Sequence, residues 1–244
     1  MKLLLSVCVL ATVSTSLYAQ FDPPGLTKTS KAYHAYRIVE TAPSYGLAKV
    51  EALVKKLKAD SQDNQAMSVK QFNGLSISER FTYCLVHGEV FSQNCDGMPA
   101  TLGEENMIFG HPLGPWGEEE QWSDKQKAFL HSNRATVIGL LRATMRSKNR
   151  VGTNLKMAII ELDAYELIPD MVSIFSPTKK DNDILSTCFL LMRDGKFKPF
   201  LASATYTKLY AGGEASYRAF VVGNPENKQL TISRAMAYYK SRKG

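Results

Sequence analysis

Cysteine and histidine are both scarce in this sequence, four of each in 244 residues. No two histidines stand at metal-ligand spacing, and no Cys or His cluster resembles a zinc site. There is no Gly-x-Ser-x-Gly nucleophile turn, no glycine-rich phosphate loop and no Asp-x-Asp-x-Asp-Gly calcium loop. Ser176-Pro177-Thr178-Lys179 fits Ser-x-x-Lys, but its companion motifs are missing and it reads as a turn. These absences remove the enzyme classes that a short motif announces, and no metal or cofactor is expected. They leave open whether the chain is an enzyme at all. Long apolar runs are few as well. The one at the start, Leu3–Val13, is too short to span a bilayer permanently, and no transmembrane segment is expected.

That first run has a different reading. Lys2 precedes it and a small-residue stretch, Thr12–Ala19, follows, so residues 1–19 have the three regions of a signal peptide with Ala19 at the cleavage edge. The expectation is an exported protein, periplasmic or secreted. Residues 20–244, about 225, suffice for a single helical domain with one core. Loss of Lys2 takes the formal charge from +7 to +6. In an exported protein this excess points to anionic envelope polymers or lipid head groups sooner than to DNA, and the expected partner is a protein or an anionic envelope polymer, not nucleic acid. Three cysteines stay behind. An oxidising compartment favours pairing, and the expected disulfide joins Cys84 to Cys95, with Cys188 a buried thiol in an apolar run.

Periodicity and capping predict helices through most of the chain. Residues 20–43 contain Pro23-Pro24 and read as an extended lead-in. In Tyr45–Lys58, Leu47, Val50, Leu53, Val54 and Leu57 share one helical face. Ala59–Lys70 reads as a polar linker. Ser76-Ile77-Ser78-Glu79 is a capping box opening a helix to Val86, and Ser123 with Gln126 opens another. Asn133 divides the latter into Asp124–His131 and Arg134–Ser147, with Val137, Leu140, Leu141 and Met145 as the buried stripe. A last hairpin pairs Glu214–Val222 with Glu226–Lys240. Successive hairpins predict an all-α fold of stacked antiparallel helices. Met157–Leu162 and Phe220–Val222 also fit buried strands.

Asn154–Ala204 repeats itself at a shift of thirty residues. Ala158-Ile159-Ile160-x-Leu162 aligns with Cys188-Phe189-Leu190-x-Met192, and Leu167-x-Pro169 with Phe197-x-Pro199. Each half reads as an apolar helix, a break and a helix opened by proline. Leu155–Phe175 and Ile184–Ala204 resemble two units of a HEAT-type helical repeat. That resemblance implies a scaffold with a partner surface, and it implies no catalytic residues.

Charge is sharply divided in the middle of the chain. The long loop at 92–122, with Asp124 after it, has no Lys or Arg, several glycines and prolines, and both tryptophans, Trp116 and Trp122. Lys125–Arg150 carries seven cations and no acid, with Arg142 and Arg146 four apart on one face. The two segments are tethered, so the loop is expected to fold back, placing Glu118–Glu120 near Arg134, Arg142 or Arg146 and packing a tryptophan. Two functions follow. One is a scaffold or binding protein for an anionic partner, with Arg134, Arg142, Arg146, Trp116 and Trp122 as binding residues. The other is a secreted hydrolase whose site is built by the 89–122 loop, with His87, Glu89, His111 and Glu118 as candidates for catalysis.

Overall fold

A computed structural model describes residues 25–93, 99–212 and 218–243. The expected signal peptide and Cys95 lie outside these residues. Among the described residues the chain is mainly helical, with twelve α-helices and little strand, as the all-α expectation requires. The first four helices are α1 (Lys28–Arg37), α2 (Leu47–Val54), α3 (Val69–Asn73) and α4 (Ile77–Val86). After the loop come α5 (Asp124–Ser132), α6 (Arg134–Lys148), α7 (Thr153–Glu161), α8 (Ile168–Thr178) and α9 (Asn182–Asp194). The short α10 (Lys198–Leu201) and α11 (Ala204–Tyr210) precede the terminal α12 (Pro225–Lys243). Four short strands make two antiparallel pairs: β1 (Val90–Phe91) with β3 (Glu120–Gln121), and β2 (Met107–Phe109) with β4 (Phe220–Val222).

The helix that everything else covers is α9. Every residue from Asn182 to Met192 is buried, under α7, α8, α10, α12 and β2. A helix enclosed on all sides must be apolar all round or have its polar groups answered. Here Ile184, Leu185, Cys188, Phe189 and Leu191 serve the core, and the polar first turn is answered by ion pairs described below. A second layer, α4, α5 and α6, packs onto α7 and α8. Val137, Leu141 and Met145 on α6 are fully buried, as their spacing predicts, and Leu140 is half-buried.

Helix starts follow the sequence signals. Ser76 with Glu79 and Ser123 with Gln126 both form complete capping boxes, and so does Ser68 with Gln71 at α3, inside the stretch expected to be a linker. Proline opens both α8 and α10, the second helix of each half of the internal repeat. Helix ends are less legible. α6, α7 and α9 all finish with a residue in the left-handed region, Asn149, Asp163 and Lys196 (φ 45°, 43° and 53°). In each the next N–H reaches back five residues: Arg150 to Met145, Ala164 to Ile159 and Phe197 to Met192, at 3.2, 2.9 and 2.9 Å. These are Schellman closures without glycine at the left-handed position.

Two expectations need correction. The lead-in contains a helix, α1, capped by Thr27, whose side chain accepts the Ser30 N–H. The segment before the last helix holds strand β4 where a helix was expected, because Val221 is buried while Phe220 and Val222 pair their backbones with β2. Met157–Leu162, by contrast, is helical as far as Glu161. The expected Cys84–Cys95 disulfide involves a residue outside the described ones. Cys84 is a free thiol, fully buried on α4, and burial pushes it far above the ordinary thiol range. The base of the loop is closed by the β1–β3 ladder, extended by a 2.7 Å bond from Ser92 N–H to Glu119 O.

Candidate functional site

The loop carries the residues a hydrolase would use. Glu89, between α4 and β1, is 1 % exposed. Its Oε1 accepts the Tyr83 hydroxyl at 2.7 Å and the Met67 N–H at 3.0 Å, and it pairs with Lys125 Nζ at 2.8 Å. Its Oε2 accepts the Ser123 hydroxyl at 2.5 Å. Burial pushes this carboxyl up, but hydrogen bonds from Lys125, Ser123 and Tyr83 outweigh it and hold the group below the usual carboxylate range. Gln126 completes the node, accepting the Glu89 N–H and donating to His87 O at 2.8 Å. His87 donates Nε2–H to Gln65 O at 2.5 Å and faces Glu120 at 3.6 Å. Glu89 is therefore a carboxylate with its lone pairs filled, locking the first turn of α5 to the end of α4.

His111 and Glu118 are not brought to this node. His111 contacts Arg193 at 3.2 Å and lies edge-on to Tyr210. Burial, then the Arg193 charge, pushes its pKa down. Glu118 accepts the Gly114 N–H at 3.0 Å across a turn in which Trp116, Gly117 and Glu118 are all left-handed. Among the described residues no three His, Cys, Asp or Glu side chains converge to hold a metal ion.

The tryptophans behave as structural residues. Trp122 is 3 % exposed, donates its indole N–H to Cys84 O at 2.6 Å and meets Trp116 edge-on. Its burial fits the aromatic half of the fold-back expectation. The charge half fails. Glu120 lies at His87 and Gly88, and the arginines of α6 take their carboxylates from α8 and the turn before it. Arg134 forks onto Glu166 at 2.7 and 2.9 Å and donates to Leu162 O and Asp163 O. Arg142 Nε and Arg146 Nε share one carboxylate, Asp170, at 3.0 and 2.8 Å. Acids facing α6 at the right height are nearer than the loop, and α7 closes the distance in sequence.

Between α6 and α8, Arg142, Arg146, Glu166 and Asp170 line an open groove of about 550 Å³, with Asn149, Ser173 and Tyr239 beside them. Arg142 is a third exposed and Arg146 two thirds. Their contacts use Nε and Nη2, so in both guanidinium groups Nη1 stays free of protein acceptors among the described residues.

A third constellation was not foreseen. At the start of α9, Arg37 of α1 is 1 % exposed. It forks onto Asp183 (3.0 and 3.0 Å), donates to Glu104 at 3.0 Å, and lies over the Phe109 ring at 4.5 Å. His34 contacts Glu104 at 3.2 Å, and the equally buried Lys156 clasps Asp181 at 2.8 and 2.9 Å. Asn182 donates to Glu105 O and Met107 O, tying the loop to α9. The signal was present in α1: Ser30, Tyr33, His34 and Arg37 fall at helical spacing.

Comparison of the chain with protein-family models, with curated proteins and with solved structures returns no match. No helix among the described residues is long and apolar enough to cross a membrane.

Proposed function

We propose that the chain is an exported binding or scaffold protein that holds an anionic partner, an envelope polymer, in the groove between α6 and α8. The observation that carries this reading is the shared carboxylate. Arg142 and Arg146 rest on the single Asp170 at an open surface, with Nη1 donors to spare, and Glu166, the other acid in the groove, is taken by the Arg134 fork. Arginine offers planar, paired donors suited to carboxylate, sulfate or phosphate. The proline-opened helices of α7–α8 and α9–α10 support a HEAT-like scaffold around that groove. A hydrolase built on the loop has less behind it, because Glu89 is filled with donors and His111 and Glu118 stand with other partners.

Dextran sulfate titrated at low and physiological salt is the test. Tight binding that weakens with salt is expected, and Arg142→Gln with Arg146→Gln should lower affinity at least about tenfold, since each exposed contact contributes on the order of 1 kcal/mol. No binding at low salt, or unchanged binding by the double variant, overturns the proposal.

A further inference from the structure

A second cationic region lies beyond the α6 groove, where the turn from α8 to α9 meets the start of α1. A cleft of about 460 Å³ there is lined by Lys28, Lys179 and Lys180 together with Ala32, Tyr33 and Glu105. Among the described residues no carboxylate pairs with any of the three lysines. Glu105, the acid in the cleft wall, accepts the Ser30 hydroxyl at 3.0 Å. Lys179 is left-handed (φ 50°) and ends α8, so Lys180 turns back over the Tyr36 ring at 4.4 Å. Lys228 of α12 donates to Lys179 O at 2.9 Å, adding a fourth cation. The contrast with α6 is direct: there every arginine reaches a carboxylate, Arg142 and Arg146 sharing Asp170, and here none of the three lysines does.

We propose that this cleft is an oxyanion-binding site, in which Lys28, Lys179 and Lys180 take a phosphate or carboxylate group and Ala32 and Tyr33 receive the apolar part of the ligand that bears it. Three flexible ammonium groups neutralise a compact anion from several directions without imposing a planar geometry. Lys228 reports the state of the site. Burial, then the Lys179 charge, holds its pKa below the ordinary lysine range. An anion beside Lys179 relieves that repulsion.

The experiment is an NMR titration at low ionic strength with inorganic phosphate, with acetate and with phosphatidylglycerol vesicles, followed at the lysine side chains and Tyr33. Phosphate or acetate binding that shifts Tyr33 and raises the Lys228 pKa is the expected result and assigns a soluble oxyanion. Binding of vesicles alone, through the same lysines, assigns a lipid head group. In either case Lys179→Gln with Lys180→Gln should weaken binding at least tenfold. Arg142→Gln with Arg146→Gln should leave it unchanged, which separates this site from the α6 groove. The proposal fails if none of the three probes binds, if the lysine variant binds as wild type, or if the arginine variant alone abolishes binding.

Discussion

Arg37 and Arg142 each hold an aspartate of the α8–α9 region, yet one does so in the core and the other at the surface. The Arg37 side chain is fully buried and its three partner bonds sit on α9 and the loop. Arg142 is a third exposed and shares its aspartate with Arg146. Desolvation makes the first pair expensive to break and the second cheap. The buried cluster therefore fixes how α1, the loop and α9 meet, and the surface arginines are left available for a partner.

Breaking the buried side should have the largest effect. Asp183→Ala leaves Arg37 charged and without its fork in the core, and a loss of about 3–5 kcal/mol in urea unfolding is expected. A loss below 1 kcal/mol would mean that Glu104 alone can hold Arg37, and the contrast between core and surface would collapse. The companion pair sharpens the same point: Lys156→Met with Asp181→Leu should cost much less than Lys156→Met alone, because the double change strands no charge.

Acid should act next, through Glu89. Its folded pKa lies below the unfolded value of roughly 4.3. The stability it contributes is present above that value and is lost as pH falls through the folded one. Glu89→Gln should therefore flatten the acid limb of a pH–stability profile measured by thermal unfolding. An unchanged limb would show that Glu89 gains nothing from Lys125, Ser123 and Tyr83. The smallest effect belongs to the surface. Arg134→Gln should cost no more than about 1 kcal/mol, and less in high salt, despite its forked geometry.

How much of this was legible depended on what each helix buries. α4 and α5 announced themselves with Ser-to-Glu and Ser-to-Gln boxes, and the α6 stripe was apolar at helical spacing. α1 escaped because its inward positions are Ser30, Tyr33, His34 and Arg37, polar groups that periodicity rules count as outward-facing. Helix ends at Asn149, Asp163 and Lys196 escaped because no glycine marks the left-handed residue. The node around Glu89 was half legible, since His87 and Glu89 are adjacent in sequence, while Tyr83, Met67 and Lys125 reach Glu89 only through the fold. The charge blocks were visible, but the pairing between them was misassigned: the loop acids face α1 and His87, and the arginines face α8.

Gly195 ends α9 where a Cβ would stand 1.8 Å from the Tyr238 hydroxyl oxygen. The last helix of the chain thus lies against the central one with no side chain between them at that point, while β4, just before it, completes a ladder with β2 from the middle of the sequence. Both contacts join segments far apart in the sequence. A ribosome that has released only the first two hundred residues has produced a chain whose central helix lacks its outer wall.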